Sequence, residues 1–235
     1  MAISTNPLAW LRSVQPRRAI ALLLLLLPLT VGAQTVRDLW LSMPPSLAPY
    51  LNTSLRTQCL DFYEMHTDAQ TDNALKGKSR IDTLTSTFLA ATLSKAHTLQ
   101  MKLLPASGSG LGSSLGSVSS SSLSSCDSVL CVVRSWDGPK RDSEVQLFDR
   151  QWKPLQAPLT FSADSFVCRP DTMSEERFSR LVALLDPIMF SVSLSPAENV
   201  LLVKLSPVVP NPENEKAIEQ ILVQRKLKWD GKTFK

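Results

Sequence analysis

The sequence predicts an α+β fold, an antiparallel β-sheet with helices packed on a face. Three observations carry this. Apolar residues alternate with polar ones over paired segments joined by short turns, as in Leu89, Ala91 and Leu93 followed by Leu99, Met101 and Leu103, the period of half-buried strands. Other segments place apolar residues at helical spacing, with Val36, Leu39, Trp40 and Met43 the clearest stripe. Finally, "TLQMKLLP" at 98–105 is echoed by "VLLVKLSP" at 200–207. Each closes a hairpin, and each hairpin follows a helical segment, so two helix-plus-hairpin repeats are expected to build one sheet.

Residues 1–33 have the pattern of a secretory leader: Arg12, Arg17 and Arg18, then the apolar run Ala19–Leu27, then the small residues Gly32 and Ala33. That run is shorter than the about 20 residues a membrane-spanning helix needs. Cleavage after Ala33 is expected to leave one domain, 34–235, with no integral membrane segment. The whole-chain net charge of +4 includes the three leader arginines. The remainder is therefore near neutral, and nucleic acid is not an expected partner.

Along the mature chain, a short helix through Trp40 stops at Pro44 and Pro45. A second starts near Thr53 and turns Leu55, Cys59, Phe62 and Tyr63 inward. "ALKGKSRIDTL" reads as a turn-rich connection. The hairpin from Ser86 follows, with one buried face and the turn "SKAH". Residues 106–125 form a Ser/Gly run too poor in apolar side chains to offset its ordering entropy, and read as a disordered loop. "VLCVVRSW" and "SEVQLFDRQWKPL" are strands around "DGPKRD". "SEERFSRLVALLD" is an amphipathic helix capped by Ser174, with Phe178, Leu181 and Leu185 inside. Two strands, a helix opened by Asn211 and Pro212, and the terminal "LKWDGKTF" edge complete the order.

No constellation for chemistry stands out. His66 and His97 are the two histidines; both read as solvated turn residues, and no GxSxG elbow frames a serine. Cys126 and Cys131 lack the paired spacing of a zinc site, and no CxxC or HxxxH occurs. "GSGLG" at 108–112 precedes no helix and reads as linker. Asp61, Glu64, Asp142 and Glu144 are the acids available for a carboxylate pair, and a solvated polar face is the simpler account of them. Cys59, Cys126, Cys131 and Cys168 are expected to be free or only partly bridged. No catalytic, cofactor-binding or metal-binding residue is therefore assigned. The tryptophans Trp40, Trp136, Trp152 and Trp229 are expected in the core, with Trp136 and Trp229 the strand-end aromatics to inspect for an exposed contact.

"LSMPPSLAPYLNTSLRTQCLDFYE", "STFLAATLSKAHTLQMKLLP", "VLCVVRSWDGPKRDSEVQLFDRQWKPL" and "LKWDGKTFK" together resemble an exported Bacteroidetes family known only as domain of unknown function 3256. The resemblance covers the mature chain. It implies an envelope or periplasmic destination in a Gram-negative bacterium and supplies no catalytic residue. It also implies that Thr83 in "DTL", Ser128 in "DSV" and Thr172 in "DTM" are candidate O-glycan acceptors. The expected function is a non-catalytic protein- or ligand-binding module whose partner is another envelope protein. The competing class is an exported hydrolase whose site is assembled from distant residues, such as a carboxylate pair or a Ser/Lys pair; a deep pocket lined by close acids, or by His66 and His97 together, would favour it.

Overall fold

The computed structural model describes residues 34–106, 128–209 and 211–235. The expected leader, the Ser/Gly loop beyond Ala106 and Cys126 lie outside the described residues. Gln34–Lys235 forms one compact unit.

Two helices, α1 (Val36–Ser42) and α2 (Thr53–Glu64), precede a six-stranded antiparallel meander. Its strands are β1 (Thr71–Asp72), β2 (Lys78–Leu84), β3 (Phe88–Ser94), β4 (His97–Pro105), β5 (Ser128–Asp137) and β6 (Arg141–Phe148), and their spatial order follows the chain. After a 3-10 turn (Ala163–Phe166) come α3 (Glu175–Val182), β7 (Phe190–Leu194), β8 (Val200–Leu205), α4 (Pro212–Glu219) and β9 (Arg225–Lys228). Strands β7, β8 and β9 form a second antiparallel sheet. Among the described residues the fold is α+β, with four helices and two sheets rather than the single sheet expected.

The helix starts follow their capping residues. Thr35 and Asp38 make a reciprocal capping box for α1. Asn52, Ser174 and Asn211 each accept a backbone N–H from the first turn of α2, α3 and α4. These bonds satisfy donors that the first helical turn leaves unpaired.

The large sheet is covered on both faces. On one, Leu89, Ala91, Leu93, Leu99, Met101, Leu130 and Val132 pack against Val36, Leu39, Trp40, Cys59 and Leu60 of the helical layer. On the other, Phe88, Leu104, Val129, Cys131, Val133, Val145 and Leu147 pack against Val192, Leu194, Leu201 and Val203 of the small sheet and against Leu181 and Ile218 of α3 and α4. The expectation of one buried face for the β3–β4 hairpin is corrected accordingly. In β4, Leu99 and Met101 face the helices while Lys102 and Leu104, also buried, face the second sheet.

The second sheet meets the first through the free edge of β7. The N–H groups of Phe190, Val192 and Leu194, which point away from β8, donate to Asp142 Oδ1 (3.3 Å), Ser143 Oγ (3.1 Å) and Gln100 Oε1 (2.8 Å) on the large sheet. The Lys102 ammonium donates to the carbonyls of Ser195, Pro196 and Glu198 in the β7–β8 turn, at 2.6, 3.0 and 2.7 Å. An edge that would otherwise present unpaired donors is closed by side chains.

Two further readings change. "KSRIDTL" is the strand β2 and not a connection; its inward positions are Ser79 and Ile81, and Ser79 donates to the Leu93 carbonyl at 2.6 Å. The two similar hairpins sit in different sheets. β3 is interior to the large sheet and β7 is at the edge of the small one. Their registers also differ: Leu89 faces Met101, whereas Phe190 faces Leu205 and not Val203, the counterpart of Met101. The echo is one of period and facing, not of equivalent position.

Candidate functional site

Sequence reasoning placed His97 in a solvated turn; the structure makes it the first residue of β4 and buries it. It lies opposite Trp136 in the β4–β5 register, and the two rings stack with centroids 5.1 Å apart and 9° between planes. On the same face of β5, the Arg134 guanidinium carbon lies 5.3 Å from the indole centroid, within cation–π range. Arg134 also donates to Glu144 Oε2 at 2.6 Å from its cross-strand partner on β6. Tyr50, in the segment joining α1 to α2, shares a hydrogen bond with His97 Nδ1. These contacts build one unit at an end of the large sheet, and Trp136, 39% exposed, is its solvent-facing member.

The chemistry open to this unit is limited by its electrostatics. Burial, reinforced by the nearby positive Arg134, pushes the His97 imidazole down to about 4. Its Nε2 is buried and has no hydrogen-bond partner. A neutral, enclosed ring of that basicity is poorly matched to general-base work near pH 7. Burial raises the Tyr50 hydroxyl, so it too is held neutral. What remains is a partly exposed indole supported by the His97 stack and the Arg134 cation.

His66 lies elsewhere. It follows α2 with φ of 53° and lines an open cleft of about 590 Å³ between the end of α2 and β2, together with Cys59, Tyr63, Asp68, Arg80 and Asp82. His97 is not in that cleft, so the two histidines are not brought together. Burial raises the Cys59 thiol, the opposite of what activates a cysteine nucleophile. Asp82 is engaged by Arg80 Nε and Thr92 Oγ, both at 2.7 Å. The acids singled out in the sequence are likewise committed or solvated: Glu64 pairs with Arg37, Glu144 with Arg134, Asp142 accepts the Phe190 N–H, and Asp61 is exposed. Among the described residues no group of three or more His, Cys, Asp or Glu side chains is placed to hold a metal ion.

The other tryptophans divide as follows. Trp40 is in the core, its indole N–H donating to the Arg56 carbonyl, and Trp152 is buried with its N–H on Ser42 Oγ. Trp229 is half-buried against Phe234 and donates to the Pro105 carbonyl. Cys59, Cys131 and Cys168 are free thiols, and only Cys168 is exposed. Of the three O-glycan motif positions, Ser128 is buried and accepts from Arg150 Nε, Thr83 is half-buried in β2, and Thr172 is exposed in a turn.

The family model described as "Protein of unknown function (DUF3256)" matches residues 28–234. The chain belongs to this family. A solved structure described as a domain of an uncharacterized protein from Porphyromonas gingivalis W83 is 21% identical, with a TM-score of 0.62 over 85% of this chain and 98% of that one. The likeness shows that the two chains share a fold and carries no activity with it. No match is found among curated proteins.

Proposed function

We propose that the protein is exported to the periplasm or cell envelope of a Gram-negative bacterium and acts there as a non-catalytic module that binds another envelope protein. The reading takes residues 1–33 as a cleaved leader and 34–235 as the working domain. One observation supports it above the others: the Trp136 indole is solvent-facing yet held by the His97 stack, the Arg134 cation and the Arg134–Glu144 pair. A large aromatic whose ordering cost is met before binding is the typical anchor of a protein contact. Asp137 N–H donates to the Ala96 carbonyl, so the exposed Lys95–Ala96 turn flanks the same contact face.

The test places a photo-crosslinking amino acid at Lys95 in the tagged full chain, expressed in its native envelope. A discrete adduct is expected, with its yield falling at least tenfold when Trp136→Ala is added. Adducts unchanged by Trp136→Ala, or none above those from a probe at Gln58 on the exposed side of α2, would remove the assignment.

A further inference from the structure

A second face of the molecule, on α3 and α4, carries side chains of both charges. Helices α3 and α4 flank a groove of about 750 Å³ whose apolar lining is Leu181, Ala183, Leu184 and Ala217. Leu181 and Ala217 already belong to the core together with Ile218, so the apolar surface that the groove leaves to be covered is that of Ala183 and Leu184. Its flanks carry opposite charge: Arg177 and Arg180 from α3, Glu213 from α4. Arg177 and Glu213 make no ion pair among the described residues. Arg180 meets only Glu176, at 4.0 Å with both side chains more than 70% exposed, a contact worth little. Leu184 is 38% exposed, and Ile188, just beyond α3, is 53% exposed.

We propose that this α3–α4 face is a two-fold interface between two copies of the chain. In a two-fold contact, whatever one copy presents to its partner is returned by symmetry. Laying α3 of one copy on α4 of the other sets Arg177 and Arg180 against the partner's Glu213 twice over, and covers both copies of Leu184. A second copy thus supplies both the apolar cover and the missing counter-charges. Each helix has eight residues and is about 12 Å long. The contact therefore falls at the small end of specific interfaces, and a reversible dimer with Kd of about 1–100 μM is expected. The inference is independent of the Trp136 end.

The deciding experiment is sedimentation equilibrium on the chain purified after export of the full reading frame. The native chain is expected to dimerise, more weakly at high salt. An all-acidic variant, Arg177→Glu with Arg180→Glu, and an all-basic variant, Glu213→Arg, should each lose at least tenfold in dimer affinity. Mixed in equal amounts, the two should recover a dimer, because each Arg then faces a Glu across the axis. Recovery on mixing also establishes that both variants are folded. A native chain that stays monomeric at several hundred micromolar overturns the proposal. So does a dimer indifferent to either variant, or a mixture that remains monomeric.

Discussion

His97 illustrates how one buried residue couples stability to pH. Its folded-state value is about 4, against about 6.5 for an exposed imidazole. Above pH 6.5 the ring is neutral in both states and its contribution is fully present. As pH falls from about 6.5 towards about 4, the unfolded chain takes up a proton that the folded chain refuses, and the contribution is progressively lost. The linked loss is about 3 kcal/mol across that window. Urea denaturation of the native chain and of His97→Phe at pH 7 and pH 4.5 should therefore show a smaller acid-induced loss in the variant; equal losses would mean that His97 does not carry it. The thiols offer a second residue-scale check. Cys59 and Cys131 are buried and Cys168 is exposed, and burial pushes the thiols of Cys59 and Cys131 up. Under native conditions an alkylating reagent should modify Cys168 within minutes and leave Cys59 and Cys131 unmodified until denaturant is added, as read by peptide mass spectrometry.

At the scale of elements, α2 is held by its ends and by polar anchors as much as by an apolar stripe. Arg56 lies buried inside the turn of chain between α1 and α2, donating to the Leu51 and Leu41 carbonyls and to Thr53 Oγ1. The N-terminal cap is the Asn52 side chain, 2.9 Å from the Leu55 nitrogen. Asn52→Ala should cost about 1 kcal/mol in a urea titration, while Gln58→Ala on the exposed side should cost nothing measurable. Elements of this kind were legible in the sequence because caps and stripes are local: Asn52, Ser174 and Asn211 all sit where the pattern places helix starts. Strand β2 was not legible, because its inward positions include Ser79, whose hydroxyl is satisfied by Asn73 and the Leu93 carbonyl in a way that no periodicity reports. The candidate site was half legible. Trp136 stood out as a strand-end aromatic, but the burial of His97 depends on Tyr50, 47 positions away in the chain.

The whole molecule explains the deepest misreading. In β4 the alternation of Gln100 and Lys102 with Leu99 and Met101 looks like a solvated face opposite a buried one. That polar face is instead the seam between two sheets, where Gln100 caps an edge N–H of β7 and Lys102 holds three carbonyls of the β7–β8 turn. Burial lowers the Lys102 ammonium, yet its three short carbonyl contacts give the charge partners that bulk water would otherwise supply. The cation therefore acts as a bolt from the centre of one sheet into the turn of the other. Lys102→Met keeps most of the aliphatic stem and leaves the three carbonyls without their donor, a loss of about 3 kcal/mol in urea stability. The loss should also be distributed unevenly. With the bolt removed, amides of β7, β8 and β9 are expected to exchange with solvent ahead of those in β3, β4 and β5, because the small sheet can then part from the large one while the latter stays packed on α1 and α2. Hydrogen exchange read by mass spectrometry separates the cases. Preferential loss of protection over 190–205 supports a seam fastened by Lys102, and a uniform loss across both sheets would show that the two layers separate only when the entire domain unfolds.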